Sequence, residues 1–154
     1  MHADVAFVTT GSVRTDIRKG NVTWGDLYTV QPFSGTILAT NLTGDQVRSV
    51  LEQQWQSPLP PHNLAVSSLA YTFDAQRTAG SKIVDIRVNG VPLDAGKTYR
   101  VAIADYLAAG GDGYTVFTRG TGTITGPSDI DALVSYVGSL PQPVNGAADT
   151  RITR

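Results

Sequence analysis

The sequence predicts a single α+β domain, a mixed β-sheet with helices packed against it. Three observations predict it. Apolar or alternating runs of strand length recur at residues 3–8, 36–42, 82–88 and 99–104. Helix-opening signatures stand between and after them, at Thr43-Gly44-Asp45-Gln46 and Ser128-Asp129-Ile130-Asp131. Helices and strands are mixed without strict βαβ alternation, which argues against a doubly wound parallel sheet.

The 154 residues suffice for one domain with a real core, and 41% hydrophobic against 16% charged residues is a globular composition. The formal net charge of −1 offers no broad basic face, so nucleic-acid binding by charge is not expected. No apolar run reaches the length of a membrane span. There is no cysteine, hence no disulfide or thiolate chemistry. Met1-His2 leads directly into a core strand. We read residues 1–2 as a cloning remnant and residues 3–154 as one domain cut from a longer protein.

In chain order, residues 3–8 form a strand that Thr9-Thr10-Gly11-Ser12 breaks, and a polar loop to Gly20 follows. Arg14 lies just past that strand end, where it is either a solvated surface charge or a ligand contact. Thr23 caps a short helix with Asp26 in capping-box spacing, and Pro32 stops it. Phe33, between Pro32 and Ser34-Gly35, is either a plug over the core or a platform for a ligand. The helix after Thr43 carries Val47, Val50, Leu51 and Trp55 at core spacing. Residues 57–63 are a proline-rich connector, and His62 there reads as a solvated loop residue, not a metal ligand. Residues 64–67 and 69–74 read as strands. The strand at 82–88 turns back through Asn89-Gly90, a strong hairpin signal. After a turn at 94–97 comes the buried strand 99–104. Residues 115–117 read as a short strand, 119–127 as edge or loop, and 150–153 as a terminal strand. The last helix carries Ile130, Leu133, Val134 and Val137 on its apolar face.

The stretch Asp105-Tyr106-Leu107-Ala108-Ala109-Gly110-Gly111-Asp112-Gly113-Tyr114 concentrates the functional signal. It follows the buried strand and holds three glycines within four residues. These allow backbone conformations closed to other residues. A strand end that delivers a ring, Tyr106, and a carboxylate, Asp112, to a permissive loop is a plausible ligand site.

Three motifs, in order, resemble the C-terminal domain of 5′-nucleotidases, the group that includes periplasmic UDP-sugar hydrolase and ecto-5′-nucleotidase. They are Gly11-Ser12-Val13-Arg14-Thr15-Asp16-Ile17 with the following Val22-Thr23-Trp24-Gly25-Asp26-Leu27, then Gln31-Pro32-Phe33-Ser34-Gly35-Thr36, then Tyr106-Leu107-Ala108-Ala109-Gly110-Gly111-Asp112-Gly113-Tyr114. The resemblance covers nearly the whole chain. It implies a nucleobase held between two rings, Phe33 and Tyr106, with Tyr106 standing where phenylalanine is common. It implies that Asp112 accepts hydrogen bonds from ribose hydroxyls and that Arg14 serves the ribose and phosphate side. Gly11, Gly35, Gly110, Gly111 and Gly113 are the supporting loop glycines.

Two departures accompany the resemblance. The family's Asn-Gly-Gly before the arginine is here Thr9-Thr10-Gly11, and a further ligand arginine has no counterpart. The family's catalysis belongs to a separate N-terminal metallophosphoesterase domain with two metal ions. The resemblance therefore implies no catalytic residue and no cofactor in this chain, divalent metal ions in the missing domain, and that domain as a partner. It also implies a nucleoside, nucleotide or nucleotide-sugar ligand and an extracytoplasmic location. The alternative is a non-catalytic docking or interface module that keeps the fold with a lost or altered ligand.

Overall fold

A computed structural model of the chain describes residues 2–56, 62–145 and 150–154. Of the segments singled out above, Met1 and residues 57–61 of the proline-rich connector lie outside the described residues.

The first strand, β1 (Val5–Thr9), alternates Val5, Phe7 and Thr9 toward the core with Ala6 and Val8 on the opposite side. It does not lie at an edge. It pairs antiparallel with β3 (Leu64–Ser67) and parallel with β7 (Thr98–Ala104), Val5 standing opposite Val101. On its other side β7 pairs antiparallel with β2 (Thr36–Thr43), which pairs antiparallel with β8 (Thr121–Ser128). The resulting order is β3-β1-β7-β2-β8. The Gly/Thr-rich segment is therefore a true edge strand.

A second sheet is built from the central hairpin. β4 (Leu69–Phe73) and β5 (Ile83–Val88) pair antiparallel, β6 (Val91–Pro92) returns from β5, and β9 (Ile152–Thr153) pairs parallel with β4. The Asn89-Gly90 turn has both residues at positive φ, +50° and +81°, as a tight hairpin requires.

Helix α2 (Gly44–Glu52) joins the two sheets. Both halves of its capping box form: the Thr43 side chain accepts from the Gln46 amide, and the Gln46 side chain accepts from the Thr43 amide. Val47, Val50 and Leu51 are fully buried among Phe7, Leu42 and Val101 of the first sheet and Leu69, Ile83 and Ile86 of the second. The end of α2 is polar yet buried. Glu52 accepts from the backbone amides of Lys82 and Ile83 at 3.0 and 2.7 Å. Gln54, just beyond, donates to the Leu51 carbonyl and accepts from the Leu64 amide and the Tyr71 hydroxyl. Each buried polar group is thus satisfied and fixes a strand start. Trp55 falls on a 3₁₀ turn after the helix, half-buried against Phe73.

Helix α1 (Trp24–Val30) starts at Thr23 with the predicted Asp26 capping box. Two expectations are corrected by the fold. Residues 105–108 are a helical turn, α3 (Asp105–Ala108), not part of a loop, so Tyr106 is set on a regular element. Thr115–Arg119 is a 3₁₀ helix, not a strand. The Gln53 side chain receives the Val116 amide and donates to the Thr115 hydroxyl, and these tertiary bonds override the β preference of a Thr-Val-Phe run. Helix α4 (Asp129–Ser139) begins at Ser128, whose hydroxyl accepts from the Asp131 amide. Of its expected apolar face only Ile130 is fully buried. Leu133, Val134 and Val137 are half-buried.

Candidate functional site

The strand alternation leaves small residues on one face of the first sheet. Ala6 and Val8 of β1 with Ala102 and Ala104 of β7 line a cleft of about 1070 Å³. One wall comes from α4, through Leu133 and Tyr136. The rest comes from three strand ends and their loops. All four residues expected to touch a ligand, Arg14, Phe33, Tyr106 and Asp112, line this one cleft, although 92 residues separate the first from the third.

Phe33 is 58% exposed, which decides against the alternative of a plug over the core. The following residue, Ser34, takes φ +52°, a left-handed conformation that bends the chain just before β2. The Arg14 guanidinium lies 6.0 Å from the Phe33 ring centre, the outer range of a cation–π contact. Arg14 is held by its own loop: its amide donates to the Val30 carbonyl and its Nη1 to the Gly11 carbonyl.

Tyr106 is 56% exposed in the helical turn that follows β7. Its hydroxyl donates to Asp112 Oδ1 at 2.8 Å and accepts from the Asp112 amide at 3.2 Å. The carboxylate that accepts this hydrogen bond holds the proton on the phenol and pushes the Tyr106 pKa above its ordinary 10.0. Gly110 at φ +87° and Gly113 at φ +81° let the chain double back so that residue 112 meets residue 106. Asp112 itself sits at φ +53°, a left-handed conformation tolerated best by Asn, Asp and Gly. A Cβ on Gly111 would overlap the Tyr106 ring. Gly11, by contrast, faces open space.

The Thr9-Thr10-Gly11 departure has a local role. Thr9 is the buried end of β1, its carbonyl accepting from the Ser12 hydroxyl, and Thr10 donates through both its amide and its hydroxyl to the Asn63 carbonyl. His62 is half-buried, lines the cleft, and its carbonyl accepts from the Tyr114 hydroxyl. The solvated-loop reading of His62 is corrected accordingly.

Sequence reasoning missed two carboxylates. Asp105 accepts from the Thr36 amide at 3.1 Å and from the Tyr106 amide at 2.7 Å. Asp129 accepts from the Ile130 amide through Oδ1, while its own amide donates to the Gly35 carbonyl. Both carboxylates flank Gly35. A Cβ there would stand 3.2 Å from Asp105 Oδ1 and 3.5 Å from Asp129 Oδ2. Among the described residues no three His, Cys, Asp or Glu side chains converge as a metal centre would need. No helix among them is long and apolar enough to cross a membrane.

Two sheets bridged by a buried helix, with exposed rings lining an open cleft, define an α+β domain. The chain belongs to the 5′-nucleotidase C-terminal domain family, whose model matches residues 1–119. A 5′-nucleotidase precursor from Thermus thermophilus superposes with a TM-score of 0.85 at 34% identity, over 98% of this chain and 31% of that one. "5′-nucleotidase" of Vibrio vulnificus is 34% identical over 139 residues, 88% of this chain and 24% of its own length. "Endonuclease YhcR" of Bacillus subtilis is 30% identical over 155 residues, 99% of this chain and 12% of its own. The chain thus spans between about a tenth and a third of these relatives.

Proposed function

We propose that the domain is the nucleoside- or nucleotide-binding, substrate-selecting part of a 5′-nucleotidase-type metallophosphoesterase. The observation that carries this reading is the pair of rings, Phe33 and Tyr106, each more than half exposed and both lining one cleft. Exposed rings at a cleft mouth are suited to stack a flat heterocycle. Asp112 beside Tyr106 offers acceptor capacity to sugar hydroxyls, and Arg14 beside Phe33 offers forked donors to phosphate or hydroxyl oxygens. Hydrolysis, its divalent ions and the extracytoplasmic location are assigned to the parent protein, whose metallophosphoesterase domain would receive the bound nucleotide.

The test is an NMR titration of the chain with AMP, adenosine and UDP-glucose, following the amides of Phe33, Tyr106, Gly111 and Asp112. Shifts concentrated there, and lost in Phe33→Ala, are expected. No response to any of the three at millimolar concentration refutes the reading and favours a docking module that keeps only the fold.

A further inference from the structure

From the cleft floor we infer that Asp105 and Asp129 read the base. Together they form an acceptor-only surface that selects nucleobases presenting adjacent N–H donors, guanine first. The inference rests on the clamp reading above and specifies its ligand.

Both carboxylates come with the rings. Asp105 directly precedes Tyr106, and Gly35, over which both carboxylates lie, stands two residues after Phe33. A base stacked on either ring shares one cleft with both carboxylates. An ionised carboxylate can only accept. Asp129 is 6% exposed, so burial has removed most of its water. Its Oδ1 is used by the Ile130 amide, but Oδ2 receives no hydrogen bond among the described residues while its residue lines the cleft. No fully buried side-chain oxygen among the described residues lacks a partner, so Oδ2 keeps an opening through which a donor can reach it. Among the described residues, the ion pairs Arg77–Asp74 and Arg87–Asp85 both lie elsewhere.

A reachable carboxylate oxygen without a protein donor is a free acceptor, and a ligand N–H can occupy it. Guanine offers N1–H and its 2-amino group side by side, matched to carboxylate oxygens. Hypoxanthine keeps N1–H and lacks the amino donor. Uracil places its one N–H between two carbonyls, whose partial negative charges meet the acids. Gly35 is part of the device. Any larger side chain would cover both carboxylates.

Asp129 also opens α4, so loss of affinity alone would not separate base reading from scaffold. A ratio does. GMP, IMP and UMP are titrated into the chain, into Asp129→Asn and into Gly35→Ala, with the shift footprint at Phe33 and Tyr106 recorded each time. The expected result is GMP bound about tenfold more tightly than IMP and more tightly still than UMP. In both variants the GMP/IMP ratio should fall to within about threefold while the ring footprint persists. Equal affinity for GMP and IMP in the unaltered chain, or an unchanged ratio in the variants, overturns the inference and leaves the clamp standing. Absence of any ring footprint overturns both.

Discussion

The Tyr106 hydroxyl and the Asp112 carboxylate are bonded to each other at 2.8 Å, so the two ligand-facing groups of the second arm form one unit. The ring cannot swing without pulling the acid. Replacing Tyr106 with Phe removes this tie but keeps the π-face. Nucleotide affinity in Tyr106→Phe should stay within about threefold, whereas Tyr106→Ala should lose about tenfold or more by calorimetry or NMR titration. Equal losses in the two variants would mean that the hydroxyl, not the ring, holds the ligand.

Gly111→Ala should disable the same arm without touching Tyr106. The added methyl would lie 2.5 Å from Tyr106 Cζ, and the half-exposed ring would yield by giving up its hydrogen bond to Asp112. Affinity should fall as far as in Tyr106→Ala, with the thermal midpoint nearly unchanged. A large drop in midpoint would show that the loop, rather than the ring, gives way.

Glu52 holds the start of β5 through two backbone amides in a buried setting. Glu52→Ala leaves both amides without an acceptor and should cost about 3 kcal/mol in urea unfolding, roughly the upper range for bonds to a charged group. A loss below about 1 kcal/mol would show that water replaces the carboxylate.

Gly44 opens α2 against the 94–97 turn. Its amide donates to the Lys97 carbonyl, and a Cβ there would overlap the Asp94 carbonyl group, with the carbon at 2.8 Å. Backbone cannot rotate away as a side chain can. Gly44→Ala should therefore destabilise more than Glu52→Ala, by about 3 kcal/mol or more. A small effect in denaturant unfolding would show that the turn is loosely held.

Stability should fall at alkaline pH. Burial raises the Tyr71 and Tyr114 phenols, and the Asp112 hydrogen bond raises Tyr106, all from an ordinary value of 10.0. A raised folded pKa means that the folded protein holds its proton more tightly than the unfolded chain. The associated stability is complete below pH 10 and is lost as pH climbs through the folded values. Thermal midpoints between pH 7 and 11 should show this loss, reduced in Tyr71→Phe. A flat profile above pH 10 would contradict it.

Features written in neighbouring residues were legible in the sequence. The capping boxes at Thr23/Asp26 and Thr43/Gln46, the Asn89-Gly90 hairpin and the strand at 99–104 depend on spacing of a few residues, and each formed. Tyr106 stands beside a glycine-rich stretch, which is a local signal, whereas a ligand role for Phe33 came from the family resemblance, its residues alone leaving a core plug open. Thr115–Arg119 was misread because Gln53, more than sixty residues earlier, fixes its conformation. Asp105 and Asp129 went unseen because their meeting point is Gly35, a residue distant from both in sequence. The weak available clue was Gly35 itself, a small residue directly before a β-rich run.

The place of β1 bears on the order of synthesis. A strand from the first residues of the chain lies in the interior of the five-stranded sheet, and one of its two neighbours, β7, is made more than ninety residues later. Until then Phe7 can find its β3 partner Val66, but Val5, which stands opposite Val101, has none, and much of their apolar cover must wait. Closing so long a loop is slow compared with local helix and hairpin formation. A nascent chain halted before residue 98 would present this apolar strand half-finished, a natural target for chaperones or for pairing with another unfinished copy.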